Sequence, residues 1–152
     1  MNTSIHILEA LTELYAVWPD PLLKRRLQEM LDICQRRFFS PPGYLIQFTG
    51  RDWKPLSSPD SFGHDVEAGF LMVEAADALV LKDKTPYWDA ARMLVDRALL
   101  YGWDEKRGGL YDLGPLNADG SITNGLKTEK IWWVQAEHLN ALLILHEHSA
   151  KE

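Results

Sequence analysis

The chain has 152 residues, of which 46% are hydrophobic and 25% charged. That suffices for one domain with a real core, falls short of two ordinary domains, and is too apolar for a disordered chain. With 22 acidic against 16 basic residues the net charge is -6, and the densest basic run, Lys24-Arg25-Arg26, reads as the solvated face of a helix, so no nucleic-acid partner is expected.

In chain order, the spacing of Ile5, Leu8, Leu11, Tyr15 and Trp18 predicts a helix from Asn2 to about Trp18. Pro19 stops it. Asp20 followed by Pro21 is a strong start signal for a second helix, which carries Leu22, Leu23, Leu27, Met30, Leu31, Cys34 and Phe38 and ends at Ser40-Pro41-Pro42-Gly43. Cys34 is the sole cysteine, so no intrachain disulfide can form; Leu31, Ile33 and Phe38 around it predict a buried, inert thiol. Tyr44 to Phe48 reads as a strand returning through Thr49-Gly50-Arg51-Asp52 to Trp53–Leu56. A third helix is predicted from about His64 to Leu81, and a fourth from Thr85-Pro86 to about Tyr101. Gly108 to Asp112 suggests a short strand and Asn117 to Gly125 is rich in turn residues. The last helix is expected to run from about Thr128, as its cap, to His148. His146 and His148 then fall in a solvated tail. No apolar stretch approaches the ~20 residues of a membrane helix, and Met1-Asn2-Thr3-Ser4 lacks a secretory pattern. The expectation is a cytoplasmic protein without a membrane partner.

The first, third and fifth helices begin alike: His6-Ile7-Leu8-Glu9-Ala10, His64-Asp65-Val66-Glu67-Ala68 and Trp132-Trp133-Val134-Gln135-Ala136, at offsets of 58 and 68 residues. Each has a ring, two spacers, Glu or Gln, then Ala. A repeated helix hairpin plus long loop suggests stacked hairpins in a solenoid or a closed toroid. Because i and i+3 share a helix face, the alignment sets His6/Glu9, His64/Glu67 and Trp132/Gln135 at equivalent places. In a toroid these would converge on the axis. Ordinary amphipathic helix starts with solvated His and Glu are the plain alternative; recurrence of polar residues at one phase favours convergence.

His64 follows Gly63 at a helix start, where the dipole disfavours imidazolium, while Glu67 one turn on could fix the ring's tautomer. A neutral, oriented imidazole is a suitable general base. Two imidazoles facing across a hollow suit removal of a proton beside a carbonyl and its return to the opposite face, with a stacked Trp holding the substrate. A metal is not expected: di-metal bundles use Glu-x-x-His, and here the order is His-x-x-Glu. No nucleophile elbow and no phosphate loop occur.

Ser61-Phe62-Gly63-His64-Asp65-Val66-Glu67-Ala68 resembles the Gly-His-Asp-Ile-Glu motif of the N-acylglucosamine 2-epimerase superfamily, and particularly its cellobiose 2-epimerase branch. Asn2-Thr3-Ser4-Ile5-His6-Ile7-Leu8-Glu9-Ala10 and Lys130-Ile131-Trp132-Trp133-Val134-Gln135-Ala136-Glu137 resemble two further segments of that family, in the same order. The resemblance implies an all-α fold, part of an (α/α)6 barrel with short hairpins in its long loops. It implies a sugar 2-epimerase or aldose–ketose isomerase with no obligatory metal or other cofactor. It implies that His64 is a catalytic acid/base supported by Glu67, that His6 and Asn2 line the sugar pocket, and that one Trp of the pair packs on the substrate. The repeat phase selects Trp132, with Gln135 one turn on.

Family chains are far longer. The expectation is therefore a single partial toroid spanning 1–152, a fragment or truncated product lacking the family's second catalytic histidine and inactive or nearly so alone. Uncovered helix faces at Leu139, Leu142, Leu143 and Leu145 predict dimerisation. Two other classes remain open: a non-enzymatic helical repeat module used for binding, and an α/α-toroid glycoside hydrolase. The latter needs paired carboxylates, for which Asp52, Asp104 and Asp112 are unpaired loop candidates.

Overall fold

The computed structural model describes residues 1–117, 120–122 and 129–150. Its helices are α1 (Asn2–Val17), α2 (Pro21–Ile33), α3 (Phe62–Ala78), α4 (Thr85–Gly102) and α5 (Trp132–Ser149). Alternate helices lie side by side: α3 packs on both α1 and α5, while α2 backs α1 and α4 backs α3. That is a two-layer arrangement with α1, α3 and α5 in one layer, as the repeat predicted.

Local sequence explains the helix boundaries. The Asp20 carboxylate accepts from the amides of Leu22 (2.7 Å) and Leu23 (3.3 Å), so two otherwise orphaned donors of α2 are satisfied ahead of Pro21. The predicted continuation to Phe38 is there, but its last stretch, Cys34–Phe38, is a π-helical turn. Lys24, Arg25 and Arg26 lie on the solvated face, and Arg26 pairs with Glu29 at 2.6 Å. The thiol of Cys34 is buried, and burial pushes its pKa up to about 12, which leaves it an unreactive apolar filler.

The predicted hairpin is divided. β1 (Phe39–Ser40) pairs antiparallel with β2 (Tyr44–Leu45), so the strand beginning at Tyr44 first turns back on the end of the preceding helix. Further out, Thr49 bridges Pro55 and Leu56 N donates to Phe48 O, which keeps the expected return as a short ladder. β3 (Asp60–Ser61) pairs with β4 (Leu113–Gly114), tying the start of α3 to the second long loop. Within Gly108 to Asp112, the strand-like contact is one bridge from Leu110 to Trp103. α5 starts at Trp132 with Ile131 as its cap residue; Thr128 lies outside the described residues.

α3 is the centre of the molecule. From Phe62 to Val73 every residue but His64 is buried, the signature of a helix enclosed on all sides. Gly69 permits this: a Cβ there would sit 3.1 Å from Ala91 Cα on α4. Ile5, Leu8, Leu27, Leu31, Phe62, Val66, Met72, Leu94 and Val134 form the core around it, each such side chain contributing about 1.5–3 kcal/mol by leaving water. At the far end of α5, His148 is not free in solvent as expected: its ring lies face to face with Trp88 of α4, centroids 3.6 Å apart and planes at 1°. Leu139 and Leu143 on α5 remain exposed. No described helix is long and apolar enough to cross a membrane.

Candidate functional site

The N-terminal halves of α1, α3 and α5 bring together His6, Glu9, His64, Glu67, Trp133 and Glu137. The His6 ring bonds Glu9 across one helical turn, Nδ1 to Oε2 at 3.1 Å, and lies 3.8 Å from Glu67 Oε1 on the neighbouring helix. Both side chains of the first pair are about half exposed (53% and 50%), whereas the Glu67 side chain is only 9% exposed. The site is thus half-open over α1 and closed over α3.

Glu67 does not orient His64. The His64 Nδ1 atom is buried and has no hydrogen-bond partner among the described residues, and the carboxylate one turn on faces His6 instead. What holds the His64 ring is Trp133 of α5, with ring centroids 5.1 Å apart and planes at 39°. Gly63 makes room for that contact: a Cβ there would fall 2.6 Å from the Trp133 ring and 2.8 Å from Val134. Any larger residue would push α5 away from α3.

The electrostatics follow from burial. Desolvation lowers the His64 pKa to about 4, with the charges of His6 and the Met1 amino group adding to the effect. The ring is neutral at physiological pH, as expected from the sequence, although burial rather than the helix dipole is the main cause. Desolvation raises Glu67 to about 7; the nearby His6 opposes the rise, and Glu137 and Glu9 reinforce it. Glu137 is itself raised, first by desolvation and then by Glu9. A carboxyl group poised near neutrality is unusual and marks a candidate proton-transfer site.

The other residues singled out from the sequence lie around this group. The repeat put the third ring at Trp132, but Trp132 is 80% exposed and its neighbour Trp133 reaches His64. Gln135 has its amide engaged with the loop before it: Oε1 accepts from Leu110 N at 2.9 Å and Nε2 donates to Leu110 O at 2.8 Å. Asn2 is exposed in the first turn of α1. Glu137 was visible only as the end of the third motif, and its place beside Glu67 depends on how α5 docks on α3. Among the described residues no group of three or more His, Cys, Asp or Glu side chains is placed to hold a metal ion. Two of the three loop carboxylates considered for glycoside hydrolysis are otherwise committed. Asp104 binds Lys130 at 2.6 Å, which holds its pKa at about 2, and Asp52 pairs with Lys54 at 3.0 Å.

Comparison with known proteins identifies the family and the fold. The profile of the N-acylglucosamine 2-epimerase (GlcNAc 2-epimerase) family matches residues 1–152. The cellobiose 2-epimerase of Bacteroides fragilis is 32% identical over 143 residues, covering 90% of this chain and 34% of that protein. The D-mannose isomerase of Marinomonas mediterranea is 28% identical over 170 residues, covering 99% of this chain and 40% of that protein. The crystal structure of a sugar epimerase from a ruminal bacterium superposes with a TM-score of 0.86 at 25% identity, covering 98% of this chain and 36% of the other. The chain therefore spans little more than a third of the length of the relatives it matches.

Proposed function

Since the chain belongs to the N-acylglucosamine 2-epimerase family and its helices form part of an (α/α)6 barrel, we propose that it carries one side of the active site of a sugar 2-epimerase or aldose–ketose isomerase. The substrate class is a reducing mono- or disaccharide such as cellobiose, mannose or N-acetylglucosamine. In its open-chain form the proton at C2 is acidified by the adjacent aldehyde. His64, neutral because it is buried, accepts that proton at a ring nitrogen, leaving an enediolate. Return of a proton to the opposite face of C2 yields the 2-epimer; return to C1 yields the ketose. Glu67, which faces His6, takes up or gives up a proton at the same end of the site, and a pKa near 7 makes both states accessible. His6 meets the sugar hydroxyls from the open side together with Asn2; the Trp pair, Trp132 and Trp133, supplies the flat faces on which a sugar ring packs, and Gln135 supports them from behind.

The observation that carries this reading is the buried, unpartnered Nδ1 of His64 against Trp133, one turn from a carboxyl group poised near neutrality. Alone, these 152 residues are proposed to be inactive or nearly so, because proton return to the opposite face needs a second handler and nearly two-thirds of each relative's length has no counterpart here. A second copy docking over exposed Leu139 and Leu143 belongs to the same proposal.

Incubating the chain with cellobiose, mannose or N-acetylglucosamine in D2O and following C2 deuteration by NMR tests it. Slow exchange, abolished by His64→Asn, is the expected result, together with a shift of the Trp133 fluorescence on adding sugar. Brisk exchange would refute the inactivity. Neither exchange nor any sugar-dependent shift would remove the sugar reading, and release of glucose from cellobiose would replace it with hydrolysis.

A further inference from the structure

Directly after His64 in the chain comes Asp65, and it belongs to a second cluster of charges that the sugar chemistry does not use. Asp60, Asp65 and Arg97 are all buried, the carboxyl residues completely. Arg97 Nη1 donates to Asp60 Oδ2, and Nη2 donates to Gly120 O at 2.6 Å. The rings of Tyr44 and Tyr101 lie 5.1 and 5.3 Å from the guanidinium carbon. Asp65 Oδ1 accepts from Leu45 N at 3.0 Å. Asp65 Oδ2 is 3.8 Å from Arg97 Nη1, too far for a hydrogen bond. One oxygen on each carboxyl group, Asp60 Oδ1 and Asp65 Oδ2, is thus left without a fixed donor among the described residues.

One guanidinium facing two sealed carboxylates leaves a net buried negative charge, which is among the costliest arrangements in a protein interior. A single proton between the two carboxyl groups removes that charge and supplies the missing donor. Arg97 is bonded to Asp60 and only near Asp65, so Asp60 keeps its charge and Asp65 takes the proton. Burial together with the Asp60 charge acts in the same direction, holding Asp65 well above the usual carboxylate range, with Arg97 opposing it.

We propose that Asp65 is a positioning residue that acts as a neutral carboxylic acid: Oδ2 donates its proton to Asp60 while Oδ1 holds the Leu45 amide, and the pair, seated on Arg97, fixes the first turn of α3 where His64 stands. Through it α3 is locked to β2, β3, α4 and the Gly120 turn. The inference concerns the support of the site and does not depend on which sugar, if any, is turned over.

Carbon-13 NMR of the 152-residue chain labelled at aspartate carboxyls reads the proton directly. One resonance should keep the signature of a protonated acid through neutral pH, and it should vanish in Asp65→Asn. That variant offers the same acceptor and an amide donor. It should leave the unfolding equilibrium within about fivefold of the parent and the His64 ring resonances in place, whereas Asp65→Ala and Asp60→Asn should raise the unfolded fraction about a hundredfold and move them. If every aspartate titrates as an ordinary carboxylate below neutrality, or if Asp65→Asn damages the protein as much as Asp65→Ala, the proposal is wrong.

Discussion

Two clusters of like composition flank the start of α3. One holds Asp60, Asp65 and Arg97; the other holds Glu9, Glu67 and His6. Each sets two carboxyl groups against one basic side chain, yet they behave as opposites. The Arg97 side chain is 3% exposed and that of His6 is 53% exposed. In the sealed cluster every charge must find its partner inside the protein, so it fixes geometry. In the half-open cluster water shares the load, and Glu67 comes to rest where a modest change in surroundings shifts its proton. Burial, not residue type, separates a brace from a reactive site.

The contrast breaks most sharply at Arg97. Replacing it with Met strands Asp60 in the interior and should destabilise the fold by about 3–5 kcal/mol, whereas His6→Gln in the open cluster should change stability by less than about 1 kcal/mol. Urea midpoints of the two variants measure both, and equal losses would erase the distinction. Next in size, Gly63→Ala forces a methyl group into the Trp133 ring, an overpacking worth about 1–3 kcal/mol. A red shift of tryptophan emission should accompany the loss as Trp133 is lifted from His64.

The pH dependence of stability is the most diagnostic. Glu67 has a folded pKa near 7 against 4.5 in the unfolded chain, so its contribution is fully present below 4.5 and is lost as pH rises to 7. His64 has a folded pKa near 4 against 6.5, so its contribution is present above 6.5 and is lost as pH falls to 4. The two slopes oppose each other across this window. Glu67→Gln should leave stability rising with pH, and His64→Asn should leave it falling. Chemical denaturation at a series of pH values would separate them, and parallel slopes in the two variants would show that the groups are not buried as described.

Much of the frame was legible because it is local. Asp20-Pro21 announces α2 through a hydrogen bond spanning two residues, and the apolar periodicity of α1, α3 and α4 reports faces set within a single turn. The repeat placed α1, α3 and α5 in one layer correctly. It did not tell which ring of the pair would meet His64, because neighbouring residues on a helix point about 100° apart, and a pattern written around Trp132-Trp133 does not say which ring meets another helix. The acid pair was out of reach for a different reason. Arg97 lies 37 residues from Asp60, and nothing in either neighbourhood signals that a charged residue will be sealed with that particular partner. The division of the first hairpin was equally hidden, since Tyr44 had two adjacent segments to pair with and the choice is made by how the π-helical turn ends.

The double hydrogen bond between Gln135 and Leu110 has a mechanical consequence. A side-chain amide carries the same donor and acceptor as a peptide unit, so here a helix residue impersonates one rung of a β-ladder. The segment from Trp103 to Leu110 is thereby riveted to α5, and Trp133, half a turn before the rivet, travels with both. Any ligand that tilts the indole must drag that segment along, which would make a label on the exposed Arg107 a remote gauge of events beside His64.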